Sequence, residues 1–208
     1  AARYIATTIM EITLDAKVYD TPLVCVIEAM GRNAGWLTAA AKLASAKGLG
    51  ADLIYLPEVD FSVDKFIDDV KRVCEKNNNK TGFKTRGIEL SLMQRCGAHL
   101  ASKTDVEETF QAGREAVKAA VSGETDKMVC YERKAGAKYE IEYKLLPLEL
   151  AANTEKKVPL EWITENGTNI SDEYVKYALP LIQGEAKAPL EDSLPRFAHL
   201  KKVFAEKR

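Results

Sequence analysis

The chain has 208 residues, 46% of them hydrophobic and 29% charged, with 12 Gly and 7 Pro, a composition that excludes collagen-like, low-complexity and wholly disordered chains. Thirty basic against thirty-one acidic side chains leave a formal charge of −1, which removes the positive field expected of a general nucleic-acid or membrane-surface binder. Any anion site must be local, and the length predicts one large or two small domains with a real core.

Ala1-Ala-Arg-Tyr reads as the middle of an amphipathic helix rather than as a native start, with Tyr4, Ile5, Thr8, Ile9, Ile12 and Leu14 near helical spacing until Asp20-Thr-Pro breaks the pattern. Leu23-Val-Cys-Val-Ile is an apolar run of β-favouring residues and predicts a strand covered on both faces. It ends at Glu28-Ala-Met-Gly-Arg-Asn-Ala-Gly-Trp, after which the Ala-rich stretch Leu37 to Lys47 predicts a helix closed by Gly48. Ala51-Asp-Leu-Ile-Tyr-Leu-Pro predicts a second buried strand stopped by Pro57. Ser62 then caps a helix whose Val63, Phe66, Ile67, Val70 and Val73 recur at helical spacing. Strand, helix, strand, helix implies a parallel α/β sheet with right-handed crossovers.

From Lys76 the chain runs through Asn77-Asn-Asn into Lys80-Thr-Gly-Phe with no strand between, and Thr85 to Met93 is partly alternating. Thr104-Asp-Val-Glu reads as a capping box opening a helix through Phe110, Val117 and Val121 to Gly123. Met128 to Tyr131 and Tyr139 to Leu146 predict strands, and the alternation Tyr139-Glu-Ile-Glu-Tyr predicts one exposed face. From Pro147 on, Pro159, Pro180, Pro189 and Pro195 punctuate short helical pieces.

Cys25, Cys74, Cys96 and Cys130 form no CxxC, and His99 and His199 are far apart, so neither a structural zinc site nor a disulfide framework is indicated. Buried free thiols in a reducing, cytoplasmic compartment are expected. The longest apolar runs, such as Pro22 to Ile27, fall far short of the ~20 residues of a membrane helix.

The informative element is the turn Met30-Gly31-Arg32. A parallel strand points its carboxyl end at the binding crevice, Gly31 admits a close backbone approach, the next helix offers unpaired N–H groups, and Arg32 supplies a fork that matches phosphate. This suggests a phosphorylated small molecule, against the plainer reading of a loop with a solvated arginine. GxGxxG and GxxxxGK[ST] loops are absent, so neither a dinucleotide nor a P-loop is supported. Arg86 and Arg95 bracket Gly87-Ile-Glu-Leu-Ser-Leu-Met-Gln. They converge on one anion only if the intervening strand turns sharply, and otherwise are independent surface or ion-pair arginines, with Glu89 the simplest partner. His99, Trp36 and Trp162 read as packing or surface residues, and two histidines without an elbow motif support no Ser-His-Asp or Cys-His pairing.

Val26-Ile-Glu-Ala-Met-Gly-Arg-Asn-Ala-Gly-Trp-Leu-Thr-Ala-Ala resembles the sugar-phosphate-binding strand-turn-helix of the phosphofructokinases, and Ala51-Asp-Leu-Ile-Tyr-Leu-Pro-Glu is similar to the strand that follows there. Phe83-Lys-Thr-Arg and Leu92-Met-Gln-Arg-Cys-Gly-Ala-His resemble the later region that closes on the sugar phosphate. The resemblance implies a three-layer, parallel-sheet α/β phosphofructokinase fold, incomplete in this chain. Residues 1–145 would form its sugar-phosphate-binding part and 146–208 a C-terminal extension packing on it. It also implies that Met30, Gly31 and Arg32 hold fructose 6-phosphate, that Arg86 contacts its phosphate and that Arg95 is a second phosphate-binding arginine. Phe83 stands where diphosphate-using members often carry a Tyr.

Two departures bear on the donor. The His that the short ATP-using enzymes place three residues before Arg95 is Leu92 here, and their Arg seven residues before the Met, lent by a neighbouring subunit, is Leu23. Both point to the diphosphate-dependent branch, as do Arg-Asn-Ala-Gly-Trp and Tyr177-Ala-Leu-Pro-Leu-Ile-Gln-Gly. The implied activity is phosphoryl transfer from diphosphate, or alternatively ATP, to the 1-hydroxyl of fructose 6-phosphate with Mg²⁺, in a homodimer or homotetramer. The rivals are a non-catalytic sugar-phosphate-sensing or assembly subunit of the same fold and an unrelated α/β sugar-phosphate binder. Nothing in the chain resembles the family's Pro-Lys-Thr-Ile-Asp-Asn-Asp, Gly-Gly-Asp-Asp or Ser-Glu-Gly segments. The catalytic Asp and the metal ligands are therefore expected upstream of Ala1, and an internal stretch is expected to be missing between Asn79 and Lys80.

Overall fold

The computed structural model describes residues 1–77, 83–204 and 206, so the expected break between Asn79 and Lys80 lies outside the described residues. Helix α1 spans Ala2–Ala16 and buries Ile5, Ala6 and Ile9, the spacing that puts three side chains on one face. Strand β1, Leu23–Glu28, pairs in parallel with β2, Lys84–Glu89, in the register Cys25↔Arg86 and Ile27↔Ile88. Ile27 and Ile88 pack on the core, whereas Val26 on the other face is 44% exposed. The strand expected to be covered on both faces is thus covered on one, the side on which Ile27 and Ile88 meet the buried core.

The helix expected over Leu37–Lys47 is two single turns, α2 (Trp36–Ala39) and α3 (Lys42–Ser45). Ala40 and Ala41 donate to Leu37 and Thr38, three residues back, so the ladder tightens between them. Ala39, Ala40 and Ala44 are fully buried, and side chains this small let both turns press against α1. Gly48 closes the unit at φ +68°, with Leu49 N–H returning to Ala44 O.

Ala51–Pro57, expected as a strand, forms no ladder. Ile54 and Leu56 are buried as predicted, but among the described residues the only backbone bond the segment gives across the fold is Ile54 N–H to Thr168 O at 2.8 Å. Apolar residues bury equally well in an extended loop, and the segment here lies against residues 158–170 instead of beside β1.

Ser62 caps α4 (Val63–Lys76) as expected, accepting from Lys65 N–H. Phe66 meets Tyr55 and Phe61 with ring centres 5.6 and 5.8 Å away, while Val63 and Ile67 of the predicted stripe remain exposed. After β2, α5 (Met93–Cys96) is a single turn.

The capping residue of α6 (Lys103–Val121) is Ser102, two residues before the expected Thr104. Buried Ser102 accepts from Asp105 N–H and donates to Leu181 O at 2.6 Å, while Lys103 and Thr104 N–H bond Gly184 and Gln183 carbonyls. The long-range bonds to 181–184 decide which hydroxyl caps. The inner face of α6 is polar: Glu108 accepts from the Tyr139 hydroxyl at 3.0 Å, and its carbonyl accepts from Tyr143 at 3.2 Å. Its large apolar residues Phe110, Val117 and Val121 point outward, at 70, 64 and 84% exposure. The tyrosines lie at the second strand of a hairpin of β3 (Lys127–Arg133) and β4 (Ile141–Pro147); burial alternates over Tyr139–Tyr143 as the sequence pattern predicts, but not along β3.

A turn, α7 (Leu148–Ala151), leads to the short pair β5 (Ile163–Thr164) and β6 (Asn169–Ile170), then α8 (Asp172–Ala178) and a last pair, β7 (Leu190–Glu191) and β8 (Leu194–Pro195). Val158, Ile170, Tyr174 and Ala178 join α1, α2 and α3 in one core. Trp36 and Trp162 pack in it with Tyr174 and Tyr177 as expected. All four cysteines are free, but only Cys74 is buried and Cys96 is exposed, so the expectation of buried thiols holds for one of them.

Asp69 of α4 is the most heavily bonded carboxylate, accepting from Lys65 at 2.7 Å, Arg72 at 2.8 Å and the Tyr55 hydroxyl at 2.9 Å. Lys65 and then Arg72 hold its carboxyl well below the usual range. A depressed acid adds stability that is fully present above its unfolded value of about 4 and is lost as pH falls through the folded one. Asp69→Asn should therefore melt below the parent at neutral pH, and the gap should close as pH drops from about 4 towards 2, read by thermal melts across that range. A pH-independent gap would contradict this account.

Candidate functional site

The two parallel strands end side by side: Glu28 pairs with Glu89, and Leu90 N–H bonds Glu28 O at 3.0 Å. Met30, Gly31 and Arg32 follow at once, on the carboxyl edge where an open α/β sheet places its ligands. Gly31 sits at φ +154°, and a Cβ there would lie 2.8 Å from Ala34 O, so the backbone is pinched where only glycine fits. Met30 is half-buried, Gly31 and Arg32 are exposed, and Arg32 makes no ion pair among the described residues.

The anion seat expected at the following helix start is not there. Helix α2 begins at Trp36, and the N–H of Gly35 before it is already bonded, at 2.9 Å, to Glu58 Oε1. A carboxylate of the protein fills the place foreseen for a phosphate. The same Oε1 accepts Val158 N–H at 2.9 Å, while Oε2 is buried without a partner.

The remaining predicted residues are distributed, not convergent. Arg86 lies midway along β2 opposite Cys25, exposed, where its charge opposes the upward push of burial on the Cys25 thiol. Phe83 immediately precedes β2, beside Pro22, whose carbonyl accepts Lys84 N–H at 3.0 Å. At roughly 3.3 Å per residue this is the far end of the sheet, about 20 Å from Gly31. Leu23 starts β1 at that same end.

The chain does turn sharply after β2, with Ser91 at φ +42° and Met93 N–H returning to Leu90 O, but the turn carries Arg95 away from Arg86. Arg95 instead lines a cavity of about 500 Å³ with Arg3, Tyr4, Gln94, Asp105 and Ile182, which Met30, Gly31, Arg32, Phe83 and Arg86 do not reach. Leu92 caps the turn before it and is 51% exposed. Gln94 is buried, with Nε2 on Ser91 O and Oε1 unpartnered. His99 is exposed and meets Tyr4 edge-on at 6.1 Å, a packing role.

The reading from sequence missed Glu58 and Gln94. For Glu58 the one available signal was an acid directly after a strand-like run ending in Pro57. Among the described residues no three His, Cys, Asp or Glu side chains gather to hold a metal ion, so the residues present do not fit Mg²⁺.

A parallel pair with a glycine-arginine turn at its carboxyl edge, surrounded by helices, defines a protein of the α/β class. The phosphofructokinase family model matches residues 1–127, and the chain belongs to that family. It is 30% identical, over its whole length and 61% of the relative, to a pyrophosphate–fructose 6-phosphate 1-phosphotransferase of Halomonas elongata. The corresponding enzyme of Xanthomonas campestris is 31% identical, matched over the whole chain and 62% of the relative. A solved structure of a pyrophosphate-dependent phosphofructokinase from Nitrosospira multiformis superposes with TM-score 0.88 at 32% identity, covering all of this chain and 60% of that one. The chain therefore spans about six-tenths of the length of these relatives and takes up part of the phosphofructokinase fold.

Gly31→Ala should strain the turn, because the added Cβ meets a backbone oxygen that cannot rotate away. A loss of about 1–3 kcal/mol is expected for forcing that conformation, read as a lower melting temperature together with weaker sugar-phosphate binding by calorimetry.

Proposed function

We propose that the whole protein containing this chain transfers a phosphoryl group from diphosphate to the 1-hydroxyl of fructose 6-phosphate, and that this chain supplies the grip on the sugar phosphate. The observation that carries the reading is Arg32: a guanidinium free of carboxylates, one residue past a pinched glycine at the carboxyl edge of the parallel pair. Such a fork binds phosphate oxygens bidentately and stays charged at any working pH. The full-length likeness to diphosphate-using relatives favours diphosphate over ATP as donor. Leu92 and Leu23, standing where the ATP users carry His and Arg, favour the same choice.

In such transfers the protein mainly positions the partners and neutralises charge. Met30, Gly31 and Arg32 would hold the sugar and orient its 1-hydroxyl. Arg86 lies back along β2 and Phe83 at its far end, so a second copy of the chain is the natural source of these groups at one sugar phosphate, in a homodimer or homotetramer. The catalytic Asp and the carboxylates for Mg²⁺ would come from residues outside this chain. In this reading residues 1–145 form the sugar-phosphate part and 146–208 the extension on it, and the enzyme works reversibly in cytoplasmic glycolysis.

Arg32→Ala in the whole protein should cost one charge-assisted contact, roughly 1.5–3 kcal/mol, or a drop of about 10- to 150-fold in kcat/KM for fructose 6-phosphate with little change in melting. Unchanged kinetics would remove the sugar-phosphate assignment. With Mg²⁺ present, diphosphate should support turnover in both directions and ATP little. A higher kcat/KM for ATP would overturn the donor and leave the sugar site standing, and binding of the sugar phosphate without turnover on either donor would favour the sensing subunit.

A further inference from the structure

We propose that Glu58 is a positioning residue for the loop Met30–Arg32 and couples that loop to the segment Lys156–Val158. The proposal rests on the reading of Met30, Gly31 and Arg32 as the sugar-phosphate grip and adds the part that sets its geometry.

Among the described residues the loop is hydrogen-bonded at its two ends, with Ala29 packed on the core. At one end Glu28 O accepts Leu90 N–H at 3.0 Å, and at the other Gly35 N–H donates to Glu58 Oε1 at 2.9 Å. Between them no backbone N–H or carbonyl of residues 29–34 makes a hydrogen bond among the described residues. Six residues strung between two fixed points follow those points, so moving Gly35 moves Arg32. Gly35 is also the one place where the carboxylate can come so close: a Cβ there would stand 2.8 Å from Glu58 Oε2 and 2.9 Å from Pro57 Cδ.

The same oxygen that holds Gly35 holds Val158, and the next residue repeats the link. Trp36 Nε1–H donates to Lys156 O at 2.7 Å, and Trp36 O accepts the buried Tyr174 hydroxyl at 2.6 Å. Gly35 N–H and the Trp36 indole and carbonyl are thus clamped by bonds to Glu58 or to residues 156–174, while Gly35 O accepts Ala39 N–H at 2.8 Å. A glutamine oxygen would accept the same two N–H groups.

The test is steady-state kinetics of the whole protein with fructose 6-phosphate varied. Glu58→Ala is expected to raise KM for the sugar phosphate about tenfold while kcat stays within about threefold, because the grip is displaced and the chemistry is not. Trp36→Phe, which keeps the ring and removes the Nε1–H, should raise the same KM about threefold, and Glu58→Gln should bring it back to within about twofold of the parent. A lower melting temperature with unchanged KM in Glu58→Ala would mean a merely structural role and overturn the proposal. If Glu58→Ala does not fold, Glu58→Asp, which draws the oxygen back by one methylene, takes its place. Unchanged KM in both Glu58→Asp and Trp36→Phe is then the overturning result. Arg32→Ala run alongside separates the two levels. If it raises KM and the Glu58 and Trp36 variants do not, the positioning role falls and the sugar reading stands. If Arg32→Ala itself changes nothing, the sugar reading falls.

Discussion

The parallel pairing of Leu23–Glu28 with Lys84–Glu89 is the constraint on which the rest depends. Two strands that run the same way cannot be joined by a hairpin, so the chain must leave the carboxyl end of the first and travel back over a face before the second begins. Helices α2, α3 and α4 lie on that return path. The pairing brings Glu28 and Glu89 to one edge and forces the Met30–Arg32 turn and the Leu90 turn to leave it together. It also forbids Phe83, at the opposite end, from sharing that edge within one copy.

The second hold is supplied from far along the chain. Tyr174, 2% exposed, would lose free energy if its hydroxyl were buried unpaired, on the order of 1–3 kcal/mol. It is satisfied by Trp36 O, and burial pushes its pKa well above the ordinary tyrosine range. Trp36, Trp162, Tyr174 and Tyr177 pack with ring centres 5.1 to 6.3 Å apart, edge-on or tilted as aromatic quadrupoles prefer. Lys156 adds its ammonium over the Trp36 and Tyr177 rings. Residues 156–178 are thus part of the wall that fixes where α2 starts.

What could be read from the sequence was what the sequence encodes locally. Ser62 was found because a cap bonds three residues away, and the alternation after Tyr139 because a hairpin buries every second side chain. Thr104-Asp-Val-Glu carries the local capping pattern, and the bonds that make Ser102 the cap instead run to residues 181–184. Ala51–Pro57 shows the same limit, since an apolar run reveals burial but not the presence of a strand to pair with. At the site, Met30-Gly31-Arg32 was legible as a pinched turn with a free guanidinium, and its wording carried the family. Glu58 was not, because its two donors stand at residues 35 and 158, and no local pattern joins three such distant positions. The distance between Phe83 and the turn was equally hidden, since it follows from register.

The reversed polarity of α6 has a consequence for how the molecule opens. Its large apolar residues Phe110, Val117 and Val121 are exposed, Glu108 takes the Tyr139 and Tyr143 hydroxyls, and it contains no buried residue, so helix and hairpin adhere through those hydrogen bonds with little excluded water. A unit joined in this way separates with little apolar surface newly exposed. The amides of residues 103–147 are therefore expected to trade protons with solvent before those of the core. The seam between this unit and the core runs through Ser102, whose hydroxyl is bonded on both sides of it.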